Sequence, residues 1–128
     1  MPDKPFSYNI ETDVKFGPLT HVDVAAEAAR HAPWFNETLV RVNDSVVRLG
    51  VIEGEFHWHK HDAEDEFFFV LEGRLLIDVE GQPTATLGPH QGFTVPHGVV
   101  HRTRAPERTV ILMVEPRAVV PTGDRTPG

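Results

Sequence analysis

Cysteine is absent from the sequence of 128 residues. This absence excludes disulfide scaffolds, thiolate zinc sites, iron–sulfur clusters and cysteine nucleophiles. Any metal site must therefore use His, Asp, Glu or backbone oxygen, which suit zinc, iron, manganese, nickel or copper. The chain has eight histidines, so imidazole donors are available for such a site.

Long apolar segments and an excess of positive charge are also missing. No apolar run approaches the ~20 residues that span a bilayer, and the N-terminus lacks the basic-then-apolar pattern of a signal peptide. The formal net charge of -7 argues against a nucleic-acid or anionic-membrane surface. The sequence therefore predicts a cytoplasmic protein that acts on a small molecule and binds neither nucleic acid nor membrane.

The pattern of short apolar runs predicts an all-β fold with one short helix. The length suits one domain. The helix signal is the Ala- and Glu-rich stretch that Thr20 or Asp23 can cap and Pro33 ends. Many short strands without intervening helices indicate a sandwich or barrel, and jelly rolls are one such fold. The predicted strands are 38–43, 45–53, 55–61, 66–72, 74–80, 84–87, 92–96, 99–104 and 109–115.

These segments divide the single predicted domain, 1–128, into three parts. Residues 1–37 are expected to form an N-terminal arm and the helix, and residues 38–115 the β-barrel. Residues 116–128 are rich in Pro and Gly and predict a loose tail.

The most informative segment runs from Gly54 to Glu66 and contains three alternating histidines. Side chains two residues apart share a face of a strand, so His57, His59 and His61 can point the same way. Two imidazoles on one strand and a carboxylate on the next form a good donor set for a first-row divalent metal.

The spacing His-x-His-x4-Glu fits this segment twice. One register ends at Glu64, within an acidic turn, and the other at Glu66, which opens an apolar strand. A ligand on a strand is better fixed than one in a turn, so we predict His59, His61 and Glu66. His57 is then an additional ligand, a proton carrier or a bystander, and the sequence favours a role outside the ligand set.

Two motifs resemble those of the cupin family. His59-x-His61-x4-Glu66-x6-Gly73 resembles the first cupin motif, and the segment from Gly92 to His101, ending Pro-x-Gly-x-x-His, resembles the second. Paired motifs in this order are far more specific than either alone. The resemblance covers about residues 45–115. It implies a jelly-roll, or double-stranded β-helix, barrel that holds one divalent metal ion, with His101 as the fourth ligand.

The resemblance also implies a function. It indicates a small-molecule enzyme of dioxygenase or isomerase/lyase type that uses Fe, Mn, Ni, Zn or Cu. Glu66 would hold the ion and move protons, while His57 and Tyr8 are the other acid–base candidates. The alternative is a cupin that binds a metal or small ligand without turnover.

An aromatic stripe on the strand after Glu66 predicts an apolar outer face. If Glu66 faces inward, then Phe67, Phe69 and Leu71 face outward, and we expect Phe56 and Trp58 to lie beside them. An apolar face of this size is rarely left exposed to water. Either the N-terminal segment covers it or a second copy does, and we expect a homodimer.

Overall fold

The computed structural model describes residues 7–124. Within that range the chain forms one helix and eight strands. No helix within residues 7–124 is long and apolar enough to cross a membrane. In chain order the elements are β1 Asn9–Glu11, α1 Val24–Ala29, β2 Phe35–Val42, β3 Ser45–Glu55, β4 Glu66–Glu72, β5 Leu75–Val79, β6 Ala85–Leu87, β7 Gly92–Val95 and β8 His101–Pro116.

The strands form one curved sheet organised around β8. Its order is β1-β2-β3-β8-β4-β7, and β5 joins through β8 and carries β6. The first residues of the 16-residue β8 pair with β5, its second half pairs with β4, and β3 pairs with both halves. This sharing of one long strand closes the sheet into a jelly roll, which confirms the all-β fold with one short helix.

One predicted turn in β8 is wrong. The sequence predicts separate strands at 99–104 and 109–115, but β8 is continuous. Its pairing with β3 shifts register, because Ile52 faces Thr109 while Gly54 faces Ala105. The Pro106-Glu107 pair lies in this bulge, which a long twisted strand accommodates without ending.

The N-terminal segment contributes to the sheet as well as to the helix. β2 begins at Phe35, three residues before the predicted barrel boundary, and β1 pairs with it in parallel. The helix has the predicted cap, because the Asp23 side chain accepts a hydrogen bond from Ala26 N at 3.0 Å. It ends at Ala29, before Pro33.

Two apolar cores pack on opposite faces of the sheet. The helix covers the outer face of β2 and β3, so both strands are buried on two sides. The outer core comprises Ala28, Phe35, Leu39, Leu49, Val51 and Val110. The barrel core comprises Ile52, Phe68, Val70, Leu75, Ile77, Leu87, Val95, Ala105, Ile111 and Met113.

The predicted strand at 55–61 is not formed. Gly54 has a φ of 97°, β3 ends at Glu55, and the following segment keeps one bridge, between His59 and His101. The strict alternation is therefore lost. Phe56 is buried against Trp34, which corrects the expectation that it faces outward, whereas Trp58 is exposed.

The prediction of a loose tail is wrong for residues 116–124. Val119 is only 2% exposed, and its carbonyl accepts a hydrogen bond from Arg48 Nη1 at 2.7 Å. Asp124 N donates to Lys60 O at 2.9 Å. These partners are distant in sequence, so local composition could not reveal them. Residues 125–128 of the predicted tail lie outside the described residues.

Candidate metal centre

The four predicted metal ligands come from three parts of the chain that converge at one end of the barrel. Glu66 is the first residue of β4, and His101 is the first residue of β8. The backbones of His59 and His101 exchange two hydrogen bonds of 2.9 Å, and Gly98 N donates to His61 O at 2.7 Å. The second motif therefore fixes both histidines of the first.

The donor atoms of His59, His61, Glu66 and His101 all lie within 4.8 Å of one another. Glu66 Oε1 is 3.4 Å from His61 Nε2 and 3.6 Å from His101 Nε2. His61, Glu66 and His101 are buried, and His59 is half-buried. The structure thus brings together the three residues of the register that ends at Glu66, and it places His101 beside them.

Backbone carbonyls set the tautomers of two of the rings. His59 Nδ1 lies 3.0 Å from His57 O, and His101 Nδ1 lies 2.9 Å from Val99 O. A carbonyl oxygen only accepts hydrogen bonds, so each Nδ1 carries the proton when the ring is neutral. Each Nε2 is then left with a lone pair that faces the other candidate ligands. A neutral ring with its Nε2 unprotonated is the tautomer that binds a metal through that atom.

Several donor atoms at the centre are buried without a hydrogen-bond partner in residues 7–124. They are both ring nitrogens of His61, Nε2 of His101 and Oε1 of Glu66. Burying such groups unpaired costs about 1–3 kcal/mol each. A divalent ion would accept a lone pair from one nitrogen of His61, from Nε2 of His101 and from Oε1 of Glu66, and three imidazoles with one carboxylate suit a first-row metal. The residues therefore fit a metal ion.

The charges at the centre also favour cation binding. Burial lowers the pKa of His59 to about 4, so this ring is neutral at ordinary pH. Burial also opposes protonation of His61, but the Glu66 carboxylate outweighs it and raises the pKa of His61. Burial would raise the pKa of Glu66, yet its contacts with His101, His61 and Glu115 lower it. The carboxylate is therefore anionic.

The space beside the four side chains is small and mainly apolar. The inner cavity measures about 20 Å³, room for roughly one water. Its lining includes Tyr8, Trp34, Asn36, Phe56, Phe68, Met113 and Pro121. An open pocket of about 840 Å³ lies outside it, lined by Trp58, Lys60 and Val120 among others. His59 lines both spaces and forms the boundary between them.

His57 lies outside the four-residue group. Its ring is exposed, its Nε2 is 2.7 Å from Thr122 O, and its centroid is 5.5 Å from that of His59. It lines the outer pocket, so its role as a proton carrier stays a prediction. Tyr8, the other acid–base candidate, accepts a hydrogen bond from Asn36, and burial raises its pKa to about 12.

Sequence reasoning missed two charged residues beside the centre. Glu115 is 3% exposed and Arg48 is 2% exposed, and they form a 2.5 Å ion pair. Burial, and after it the charge of Glu66, raise the pKa of Glu115. A signal was available, since Glu115 continues the inward-facing positions of Ile111 and Met113.

A second group of possible ligands has a simpler explanation. Glu27, His31 and Glu37 lie together beneath the helix. Lys15 Nζ is 2.7 Å from Glu27 Oε1 and 3.2 Å from Glu37 Oε1. Lys15 and Arg30 together place two positive charges against these two carboxylates, so the charges balance without an ion.

Comparison with known proteins assigns the family. The sequence profile described as Cupin domain matches residues 45–115, more than half of the chain. The chain belongs to the cupin family. It is 50% identical over 80 residues to the uncharacterized protein YdbB of Bacillus subtilis (strain 168), a match that covers 62% of this chain and 71% of that protein.

Solved structures agree with this assignment. A cupin-2 domain containing protein from Shewanella frigidimarina NCIMB 400 is 32% identical with a TM-score of 0.70, covering 74% of this cupin and 93% of that chain. A Neisseria meningitidis protein shares the fold alone, at 20% identity and a TM-score of 0.69, covering 76% and 99% of the two chains. Cupins often bind a metal, and the His/Glu group of this chain is a possible metal site.

Proposed function

We propose that this cupin binds one divalent transition-metal ion through His59, His61, Glu66 and His101. We further propose that it acts on a small molecule as an enzyme of dioxygenase or isomerase/lyase type. The observation that carries the proposal is the convergence of buried donor atoms without hydrogen-bond partners in the described part of the chain. A fold that gained nothing from an ion would bear their desolvation cost without compensation.

A bound ion would supply a Lewis acid with coordination positions left open by four protein ligands. Glu66 provides the negative charge of the set, and an oxygen of its carboxylate is also able to hold a proton taken from a substrate. The aromatic lining formed by Trp34, Phe56 and Phe68 keeps bulk water from the inner cavity. This exclusion strengthens every electrostatic interaction inside it.

The two spaces suggest where a substrate would bind. The inner cavity accommodates only a water-sized group, whereas the outer pocket is large enough for a small organic molecule. A substrate in the outer pocket would contact Trp58 and reach the centre at the edge of His59. Lys60 and His57 are polar groups on the wall of that pocket and would orient such a substrate.

The alternative is a cupin that binds a metal or small ligand without turnover. The observation that favours it is the small volume of the inner cavity, which limits the reacting groups that can approach the ion. An enzyme and a binding protein would then share the same metal centre and differ in substrate conversion.

The test is a turnover screen of the metal-loaded protein. Wild-type protein and His101→Ala would each be loaded with Fe²⁺, Mn²⁺, Ni²⁺, Cu²⁺ or Zn²⁺ and mixed with small enols, phenols, keto acids and hydroxy acids. Oxygen uptake and product formation would be measured. Metal-dependent turnover that is lost in His101→Ala supports the enzyme. Ligand binding without turnover for any metal supports the alternative.

A further inference from the structure

We propose that residues 120–124 form a lid over the metal centre, hinged at Val119 and latched by Asp124, which must open before an ion or a substrate reaches the ligands. The inference rests on the proposed metal centre and adds the route by which that centre is reached. Three observations carry it: the position of the lid between two spaces, the burial of the donor atoms behind it, and the difference between its attachments.

The lid lies between the inner cavity and the outer pocket. Pro121 is part of the lining of the inner cavity, whereas the other four residues of the lid line the outer pocket. The backbone of Gly123 passes directly against His59, because a Cβ at residue 123 would lie 2.5 Å from His59 Cβ. His59 borders both spaces. The lid and His59 therefore form the wall between them.

Behind this wall the donor atoms of three proposed ligands are closed off from solvent. Nε2 of His101, Oε1 of Glu66 and both ring nitrogens of His61 are buried. The inner cavity of about 20 Å³ holds roughly one water. A hydrated divalent ion or an organic substrate is larger than that space, so a part of the wall has to move before either one enters.

The barrel and the loop that carries the histidines are firmly held. β3 and β4 both pair with β8. Two hydrogen bonds of 2.9 Å join the backbones of His59 and His101, and Gly98 N donates to His61 O at 2.7 Å. Movement of these parts would break the sheet or displace a ligand. The lid is the part of the wall that moves without breaking these contacts.

The attachments of the lid differ at its two ends. Val119, just before it, is 2% exposed, and its carbonyl accepts a hydrogen bond from Arg48 Nη1 at 2.7 Å. None of the described residues 120–124 is buried. Segments with few buried contacts open at low free energy while the rest of the fold stays intact. Val119 is therefore the fixed end, about which the lid turns.

Asp124 fastens the other end. Its Oδ2 accepts a hydrogen bond from Asp62 N at 2.6 Å, and its own N donates to Lys60 O at 2.9 Å. His57 Nε2 adds a third contact, 2.7 Å from Thr122 O. All three partners belong to the loop that follows β3. The lid is thus latched directly to the loop that carries two of the proposed ligands.

The experiment measures how fast Co²⁺ enters and leaves the protein. Stopped-flow absorption gives the rate of uptake and the rate of release to excess chelator, and equilibrium competition gives the affinity. Asp124→Ala removes the hydrogen bond from Asp62 N, whereas Asp124→Asn keeps an oxygen that accepts it. A lid that opens more often speeds uptake and release by the same factor and leaves the affinity unchanged.

The comparison of Asp124→Ala with Asp124→Asn separates the latch from the charge of Asp124. The Asp124 carboxylate lies within 4.8 Å of a ring nitrogen of His61, so its loss alone would slow the arrival of a cation. Both variants lose this charge, and they differ in the hydrogen bond.

Asp23→Ala is the matched control for the loss of a hydrogen bond. The exposed Asp23 side chain also accepts one hydrogen bond from a backbone N–H, that of Ala26 at 3.0 Å, but at the start of the helix. Circular dichroism would establish that each variant is folded.

We expect Asp124→Ala to take up and release Co²⁺ about 2–10-fold faster than Asp124→Asn, the effect of losing one net hydrogen bond, with the same affinity. Asp23→Ala should match wild type. Equal rates in the two Asp124 variants would overturn the inference while leaving the metal centre intact. So would faster release without faster uptake, because that pattern shows a weakened site and not an opened one. Wild-type protein that binds no Co²⁺ would contradict the metal centre, and the inference with it.

Discussion

At the residue scale, two histidines of the centre are oriented by the same local device. His59 and His101 each direct Nδ1 to the carbonyl of the residue two positions earlier, at 3.0 and 2.9 Å. Each Nε2 is thereby turned toward Glu66 without help from a distant residue. Short motifs can encode such a site because the residues that orient the ligands are part of the motifs.

The ligand register gives the first prediction. His61→Ala should weaken metal binding by more than about 100-fold, because it removes a buried ligand and not merely a residue that orients one. His57→Ala should retain wild-type affinity, since the His57 ring is exposed and turned to Thr122 O. Chelator competition with Zn²⁺ measures both. Loss of binding in His57→Ala with retention in His61→Ala would show that the ion uses the other register.

The second prediction concerns pH. The raised pKa of His61 means that a proton competes with the ion for this ring at and above about pH 6.5, the ordinary value for histidine. His59, with a pKa of about 4, presents no such competition near neutrality. Metal affinity should therefore fall as pH decreases from 8 to 6, and binding should release a proton. Calorimetry in two buffers of different ionisation enthalpy measures that release. Affinity that is flat across this range would contradict the assignment.

The sequence could predict the four metal-ligand candidates but not the residues that support them. Glu66 and His101 stand in motifs whose spacing is visible along the chain. Alternation along the last strand could place Glu115 inside the barrel, but its pairing with Arg48 became recognisable only when β3 and β8 were aligned, because the two residues are 67 positions apart in sequence. Cross-strand pairing depends on register, which local patterns do not specify.

At the element scale, the segment 54–61 and the C-terminal segment 117–124 differ most from expectation. Gly54, with its positive φ, lies where β3 shifts register against β8, and β3 ends one residue later, so loop geometry aims His59 and His61. The C-terminal segment folds back over this loop, with Gly123 against His59 and Asp124 bonded to Lys60. Alternating histidines predicted a strand, and the Pro- and Gly-rich composition predicted a loose tail. Long-range contacts overrode both local signals.

The third prediction tests the contact between Gly123 and His59. A Cβ at residue 123 would lie 2.5 Å from His59 Cβ, and Gly123 has a φ of 94°. Gly123→Ala should therefore weaken metal binding by displacing His59, in addition to a backbone cost of about 1–2 kcal/mol. Chelator competition measures the affinity, and thermal unfolding measures the stability.

Gly81→Ala is the control for this prediction. Gly81 has a φ of 78°, but a Cβ there would meet nothing within 4 Å. It should carry the same backbone cost and bind metal like wild type. Equal metal affinity in the two variants would show that residues 117–124 do not position His59.

At the scale of the whole molecule, the barrel could be predicted from the sequence, whereas a partner for the outer face of β4 and β8 stays a prediction. The strand pattern and the paired motifs were sufficient to predict the jelly roll, because short strands without intervening helices permit few architectures. Inward-facing Glu66, Phe68 and Val70 are buried, as expected. On the outer face, Phe67 is 36% exposed beside its strand neighbour Val114, which is 40% exposed.

The fourth prediction is that this outer face of β4 and β8 forms an isologous dimer. Phe67→Glu should convert a dimer to a monomer, because an isologous interface would bury the new charge twice. Light scattering coupled to size-exclusion chromatography measures the mass. Val42→Glu, at an exposed position on β2, should leave the dimer intact. A wild-type protein that is monomeric throughout the concentration range would contradict the prediction.

Binding of one divalent ion by four side chains inside this barrel is the property on which the proposed function depends. Elemental analysis of freshly purified, untagged wild-type protein, with His59→Ala purified in parallel, tests it most directly. We expect close to one Fe, Mn, Ni, Cu or Zn ion per chain in the wild type and a large loss in His59→Ala. Wild-type protein that stays metal-free after reloading, or a His59→Ala variant that keeps a full load, would contradict the account.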